Sequence, residues 1–407
     1  MLLGMKPKDY DVATDARPDR IMDLFPNSGR VGAHFGVVLV RDVFDQVEVA
    51  TFRSDHEYMD GRHPEHVRFE TDPREDVLRR DFTINGLLME PSSGRVLDFV
   101  DGQLDLVRGI VRAIGDPYER FREDHLRLLR AVRFAARLNF EIEAETFAAM
   151  RRDHALIQRV ALERVREELV RILTEGGARR GFEMLDGTGL LEDILPEVAD
   201  MKGVPQPPQF HPEGDVWQHT LLLLEQLHQP TPTLALGALL HDVGKPATFR
   251  VADRIRFDGH VEEGVRLAQA ILTRLRFSRE EIEQVVVLVD NHMRFKDVSN
   301  MKESTLKRFL RMPKFEEHLE LHRLDVMSSN RHLENYEMAR NKFEEYSVEH
   351  LRPEPLLTGS DLIGMGYQPG PQFSRILHMV EDAQLEGGLT TQADAMEMVR
   401  HNFPLED

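Results

Sequence analysis

Two aspartates one residue apart, Asp9 and Asp11 in the run Lys8-Asp9-Tyr10-Asp11-Val12, are the first residues of this chain able to do chemistry. On a β-strand, positions i and i+2 project from the same face, so both carboxylates would point one way and Tyr10 and Val12 the other. Such a pair can hold divalent cations that activate an attacking hydroxyl and stabilise a leaving pyrophosphate. Solvated turns carry the same triplet, so the pair needs partners. Glu48 is a candidate third carboxylate, because it lies in a strand-like run from Asp45 to Phe52 and by alternation shares a face with Gln46 or with Ala50 and Phe52. An exposed strand residue without a role has the same pattern.

Charged residues then crowd the run Arg79-Arg80-Asp81-Phe82-Thr83-Ile84-Asn85. Arginines there can bind a triphosphate, and Asp81 can accept from a ribose hydroxyl. Further on, Asp124, Arg127, Arg130 and Arg133 recur every three residues in a helical stretch starting near Phe121, which places neighbours of the series side by side on a helix surface. An acceptor next to a donor reads a base edge. Cytosine and adenine each present an amino donor beside a ring-nitrogen acceptor, so one Asp and one Arg suit both. Uracil and guanine present the reverse order and leave buried groups mispaired, at about 1–3 kcal/mol per group. A helix laced with ion pairs is the plain alternative.

A second cluster is spread over the C-terminal half: His219, His241-Asp242, His260, His292 and Asp325. The chain has no cysteine, so any metal must be held by His, Asp or Glu, and imidazoles with carboxylates suit a mononuclear or binuclear site. A metal bound there lowers the pKa of its water towards neutrality.

The elements that must position these residues divide the chain in two. A length of 407 residues allows about two to four domains. Strand-like runs (Val37 to Val40, Asp45 to Phe52) alternate with a helix over Arg17 to Phe25 that has Pro18 in its first turn. The polar, Gly/Pro-marked stretch Ser54 to Val67 reads as a mobile loop. From about Pro117 the pattern is helical, with a linker at Val204-Pro205-Gln206-Pro207-Pro208 and the helix Leu234 to Leu240 closed by His241 to Lys245, Gly244 being a possible terminator. A small α/β head followed by a long α-helical body is the expectation.

Charge sharpens it. The net charge of −19 argues against indiscriminate coating of nucleic acid, yet residues 120–181 hold 14 arginines and no lysine against 10 acidic residues. Arginine alone favours directed bonds to phosphates or base edges. The N-terminal residues lack the apolar core of a signal peptide and no apolar run is long enough to cross a bilayer, so a soluble cytoplasmic protein is expected, with no membrane association.

Taken in order, Asp9-x-Asp11, Thr51-Phe52-Arg53, Arg79 to Asn85, Asp98-Phe99-x-x-Gly102-x-x-Asp105-Leu106 and Glu123-Asp124-x-x-Arg127-x-x-Arg130-x-x-Arg133-Phe134 resemble the motifs of the class II tRNA nucleotidyltransferase / bacterial poly(A) polymerase family. The resemblance covers roughly residues 2 to 200. It implies an α+β fold, in which a small polymerase-β-like nucleotidyltransferase head is followed by an extended all-α neck, a helical body and a tail. The expected parts are a head over 1–115, a nucleobase-selecting and RNA-binding neck over 116–205, a helical domain over 206–340 and a tail over 341–407. By the same likeness Asp9 and Asp11 bind Mg²⁺, with Glu48 as third carboxylate. Arg80 contacts the incoming nucleotide together with Asp81 and Asn85, Asp124 and Arg127 select the base, and Arg130 and Arg133 hold phosphates or orient that pair. The implied activity is template-independent addition of C and A to tRNA 3′ ends, with tRNA, ATP and CTP as partners; a poly(A) polymerase on the same scaffold is the alternative. Members that add only the two cytidines lack a loop like that at Ser54 to Val67, so its presence implies addition of the terminal A.

The second cluster resembles the HD phosphohydrolase pattern. It implies that His219, His241, Asp242 and Asp325 bind one divalent transition metal, that His260 and His292 surround a second, and that phosphomonoesters or cyclic phosphodiesters are hydrolysed. A hydrolase with a degenerate RNA-binding head is therefore the rival from another class. The segment Leu357 to Pro371 resembles the tail of family members that carry this domain and can contact the tRNA elbow or cap the body. Two departures stand out. The family has a Gly-rich turn and an Arg-Asp pair upstream of Leu2-Leu3-Gly4, where this chain starts, so either a start further upstream or weak nucleotide binding is expected. Gly86 stands where the family more often has Ala.

Overall fold

The computed structural model describes the chain apart from residues 1, 5, 8–9, 31–35, 42–45, 59–63, 347–350 and 406–407. The fold is α+β, and the chain forms two compact units: Met1–Lys202 with Leu224–Pro232 and Ala270–Ser278, and the remainder.

In the first unit, β1 (Asp11–Thr14), β2 (Ser28–Arg30), β3 (Val37–Arg41) and β4 (Gln46–Thr51) form a four-stranded sheet of order β1-β4-β3-β2. β1 runs parallel to β4, and the other pairings are antiparallel. Helix α1 (Pro18–Leu24) has Pro18 in its first turn and buries Ile21 against Val38 and Val49, with Val40 and Val47 beside them. Each such side chain contributes roughly 1.5–3 kcal/mol when fully buried. Val47 and Val49 thus face the core, and alternation sends Gln46, Glu48 and Ala50 to the opposite face.

The stretch expected to be a mobile loop is instead a pair of antiparallel strands, β5 (Arg53–Tyr58) and β6 (Pro64–Phe69). Its polar sequence carries no strand signal because the pairing comes from backbone bonds. Residue 52 seats the hairpin, donating its N–H to Thr14 and accepting from the N–H of Glu70. Helix α2 (Pro73–Leu78) follows, with Asp72 capping the N–H of Arg74. A single turn, Thr83–Asn85, packs so closely on α3 (Gly102–Arg108) that a Cβ at Gly102 would lie 2.2 Å from the Thr83 carbonyl. Asp98 accepts from the N–H groups of Val100, Gly102 and Gln103, and Asp105 accepts from the Thr83 hydroxyl, which accounts structurally for that motif.

The helical stretch that was expected to run on from Phe121 is broken. α4 (Pro117–Glu123) ends at Asp124, whose backbone is extended (φ −136°, ψ 105°), and α5 (Arg127–Leu138) starts three residues later. The break comes from an Asx turn, in which Asp124 Oδ1 accepts from the N–H of Leu126 at 3.1 Å. Then come α6 (Ala144–Asp153), α7 (Leu162–Thr174), α8 (Ala178–Thr188), α9 (Leu190–Ile194) and α10 (Pro196–Ala199). α5 packs on α7 and α8, with Ala136 against Gly177 and Gly181, and buries Leu128, Leu129, Val132 and Ala135 as well.

Beyond residue 203 the elements are α11 (Val216–Glu225), α12 (Pro232–Leu240), α13 (Lys245–Thr248), α14 (His260–Arg274), α15 (Arg279–Asn291), α16 (Glu303–Leu310), α17 (Phe315–Ser328), α18 (Glu334–Glu345), α19 (Gly359–Gly364), α20 (Pro371–Leu385) and α21 (Gln392–Asn402). α12 is apolar on all sides and buried from Thr233 to Leu240. Gly244 does not act as a left-handed terminator, since its φ is −81°. It is needed for close approach, because a Cβ there would stand 2.1 Å from the His260 carbonyl. The Pro-rich stretch read as a linker is folded: the N–H of Val216 bonds Val204 O, and residues 205 and 215 form a β-bridge. The tail has its own small core of Leu357, Leu362, Tyr367, Ile376, Val380, Ala395 and Val399.

Candidate functional site

In the head, Asp11 and Glu48 are directly paired across the parallel strands β1 and β4. Paired residues of adjacent strands share a face, so these two carboxylates project side by side, and both are exposed. That donor set fits a hard divalent cation. Asp9 lies outside the described residues.

Arg80 is held at both ends. Its Nη2 donates to Asp76 Oδ2 at 2.9 Å and its Nη1 to the Asn85 carbonyl at 3.1 Å, which leaves the guanidinium partly exposed. Asp76, itself buried, also accepts from Arg79 at 2.6 Å and from the N–H of Arg53 at 3.4 Å. Burial would raise the Asp76 carboxyl, but Arg79 and Arg80 outweigh it and hold it below the usual range.

Asp124 and Arg127 flank the break between α4 and α5. Arg127 donates from Nη1 to Glu123 at 2.7 Å and to the Arg120 carbonyl at 3.1 Å, and from Nη2 to the Arg79 carbonyl at 2.9 Å. Among the described residues these bonds leave its Nε–H and one Nη2–H. Asp124 meets Arg164 only at 3.3 and 3.4 Å and keeps acceptor capacity.

In the second unit, His219, His241 and Asp242 present ligand atoms within 4.8 Å of one another, and so do Asp242, His260 and His292. Asp242 is common to both triads. Its Oδ2 lies 3.2 Å from His241 Nε2 and 3.9 Å from His219 Nε2, and its Oδ1 lies 3.8 Å from His292 Nε2. Asp325 Oδ1 stands 3.1 Å from His219 Nε2. The imidazole orientations follow from their other nitrogens. His241, His260 and His292 donate Nδ1–H to the carbonyls of Ala238, Phe257 and Val289, three residues back in each case. His219 donates Nδ1–H to Glu213 Oε1 at 2.7 Å. In the neutral form of each imidazole the lone pair is therefore on Nε2, and all four Nε2 atoms are buried without a hydrogen-bond partner among the described residues. Four inward lone pairs beside carboxylates fit a divalent metal.

Burial alone would push the His219 imidazole down, yet the Asp325 and Glu213 carboxylates hold it up to about 9. Burial pushes His292 down to about 4. Asp242 is drawn well below the usual carboxylate range by Lys245 and His241, against its burial. Lys245 Nζ donates to Asp242 Oδ2 and to Gln206 Oε1, each at 2.6 Å.

Family models match three stretches: the poly A polymerase head domain over residues 1–112, a probable RNA and SrmB-binding site of polymerase A over 139–202, and the HD domain over 215–330. Over these three stretches the chain is similar to the head, RNA-binding and HD domains of the tRNA nucleotidyltransferase / poly(A) polymerase family. The CCA-adding enzyme of Levilactobacillus brevis is 44% identical over 201 residues, which is 49% of this chain and 50% of that one. The chain thus spans about half the length of such curated relatives. The fold of the CCA-adding enzyme of Bacillus stearothermophilus, solved with CTP, matches with a TM-score of 0.75 at 24% identity, covering 98% of this chain and 91% of that one. The Thermotoga maritima CCA-adding enzyme solved with tRNA matches with a TM-score of 0.59 at 18% identity, covering 98% and 88%.

Against this family frame, several expected nucleotide ligands have other work. Asp81 is only 8% exposed, and its oxygens accept from Phe82 N–H, Asn85 Nδ2 and Arg130 at 2.6–3.1 Å, which leaves no open lone pair for a ribose hydroxyl. Asn85 and Arg130 are the donors that saturate it. Arg133 lies buried against Glu168 at 2.6 Å and joins α5 to α7, so it is not presented to a phosphate. Asp124 stands outside any helix, which replaces the expected stripe by a corner.

Sequence reasoning missed Asp76, although its i,i+3 and i,i+4 spacing to Arg79 and Arg80 on α2 was a usable signal. Lys245, three residues after Asp242, gave a similar one. Glu213 and Gln206 gave none. Among the described residues no helix is long and apolar enough to cross a membrane.

Proposed function

We propose that this chain is a template-independent nucleotidyltransferase that builds CCA on tRNA 3′ ends from CTP and ATP in the cytoplasm. The observation that carries the reading is the Asp11 and Glu48 pair, two exposed carboxylates opposed on one face of the head sheet. With Asp9 these would hold Mg²⁺, which supplies charge neutralisation for in-line attack of a 3′-hydroxyl on an α-phosphate and for pyrophosphate departure. Arg80, fixed by Asp76 and Asn85, is placed to bind phosphate oxygens bidentately. The free donors of Arg127 and the acceptor of Asp124 match the ring nitrogen and amino group of C and A. Arg127 also holds the Arg79 carbonyl, so base reading and phosphate binding are joined through one residue. The head, neck, HD body and tail follow the division 1–115, 116–205, 206–340 and 341–407 on this reading, with neck and tail engaging tRNA.

A second activity belongs to the HD cluster, on the strength of its four unpartnered Nε2 atoms. A divalent transition metal held by His219, His241, Asp242 and Asp325, with His260 and His292 around a second, supplies an acidified water for phosphoester hydrolysis. The two readings separate in one experiment. Asp11→Ala should abolish nucleotide incorporation into RNA and leave hydrolysis of a 2′,3′-cyclic nucleotide intact, and His241→Ala should do the reverse. Incorporation that survives Asp11→Ala would overturn the primary reading.

A further inference from the structure

We infer that the folded turn Gly203–Asp215, which precedes the matched HD region, is a working part of the HD centre, and that Glu213 is a positioning residue setting the metal affinity of His219. The inference rests on the HD metal reading above.

Three of the four inward imidazoles are oriented by a backbone carbonyl three residues back. His219 sits in the first turn of α11 and takes a carboxylate instead, Glu213 Oε1 at 2.7 Å. A carboxylate only accepts, so Glu213 fixes a proton on His219 Nδ1 and leaves Nε2, which faces Asp242 and Asp325, as the nitrogen that would exchange its proton for a metal. An anionic partner also makes the imidazole a stronger donor to a metal than a carbonyl would. The same Oε1 accepts from His211 Nδ1 at 2.9 Å, and the second oxygen of Glu213 is buried with no partner among the described residues. An unpaired buried carboxylate oxygen costs stability, which fits a residue kept for the centre more than for the turn.

The turn is closed at its base, where Gly203 N–H donates to Asp215 Oδ2 at 2.7 Å and Val216 N–H to Val204 O at 3.0 Å. It grips the centre a second time through Gln206, whose Oε1 holds Lys245 as Lys245 holds Asp242. Two ligands, His219 and Asp242, are thereby braced from one segment.

The test uses the full chain and Co²⁺, followed by calorimetric titration and by the visible absorption of imidazole-bound cobalt, with Glu213→Ala, Glu213→Gln and His241→Ala. Glu213→Ala should bind Co²⁺ about 10–100-fold more weakly than the wild type. Glu213→Gln keeps an acceptor for His219 without the charge and should lose less, about 3–10-fold. His241→Ala should lose the cobalt absorption. Wild-type affinity in Glu213→Ala, with the absorption lost in His241→Ala, overturns the role of Glu213 and leaves the HD reading standing. If Glu213→Ala does not fold, wild-type affinity in Glu213→Gln overturns it equally. No cobalt absorption in the wild type, or none lost in His241→Ala, overturns the HD reading and this inference with it.

Discussion

Asp11 and Glu48 face each other across two parallel strands, 37 residues apart in sequence and paired in register. The register makes them one donor set. Neutralising either should therefore damage catalysis and spare the fold, because both are exposed. Asp11→Asn is expected to cut nucleotide incorporation by about 10²–10³-fold and Glu48→Gln by about tenfold or more. Thermal melting of both variants should stay within a few degrees of the wild type, as about 0.5 kcal/mol is usual for surface changes. A large melting loss with little kinetic effect would assign them a structural role.

The pair of Asp81 and Arg130 should behave in the opposite way. Asp81→Asn removes the negative charge of a largely buried ion pair and turns one acceptor oxygen into a donor, and is expected to cost about 2–3 kcal/mol in urea unfolding, at the low end because Arg130 is partly exposed. Burial would raise the Asp81 carboxyl, but Arg130, Asn85 and the N–H of Phe82 hold it below its ordinary value of 3.8. The unfolded carboxyl protonates near 3.8 and the folded one only lower. This contribution is complete above that pH and is lost as pH falls through the depressed folded value. The acid limb of stability should flatten in Asp81→Asn.

How much of this was legible in the sequence varies with the range of the interaction. Glu48 could be placed because Val47 and Val49 mark the core face of β4, and alternation does the rest. The types of Asp124 and Arg127 were legible, but the corner between them was not, because an Asx turn competes with helix wherever Asp can reach an N–H two residues on. Arg133 looked like its neighbours in the series. Only its partner Glu168, 35 residues away on α7, makes it structural. The β5–β6 hairpin and Glu213 left no local trace, since one depends on backbone pairing and the other on an irregular turn that brings it back onto His219 in the helix that follows.

Base choice should be movable through Asp124. Asp124→Asn replaces a pure acceptor by a group that can also donate, so UMP and GMP become better matched. The preference for CTP and ATP over UTP and GTP is expected to fall about 10–100-fold, measured as kcat/KM for single incorporation. An unchanged preference would remove Asp124 from the base-reading pair.

Unit two should weaken in mild acid. On α17, His318 Nε2 and both ring nitrogens of His322 are buried and unpartnered among the described residues, and burial pushes both imidazoles down to about 4. The folded state keeps them neutral and the unfolded chain protonates them near 6.5. Stability is therefore full above about 6.5 and is lost as pH falls towards 4, by on the order of 1–3 kcal/mol each. His322 stacks on Phe295 at 4.4 Å and 7°, so His322→Phe should fit and flatten the loss. Urea midpoints between pH 7 and pH 4.5 measure it.

The most direct test of the central claim is extension of a tRNA lacking its terminal CCA, resolved to the nucleotide, with CTP, ATP, UTP and GTP supplied singly and CTP with ATP together. The account predicts two additions with CTP alone, three and then arrest with both, and neither UMP nor GMP incorporated. An open-ended A tail, or UMP and GMP entering as readily as CMP and AMP, would contradict it.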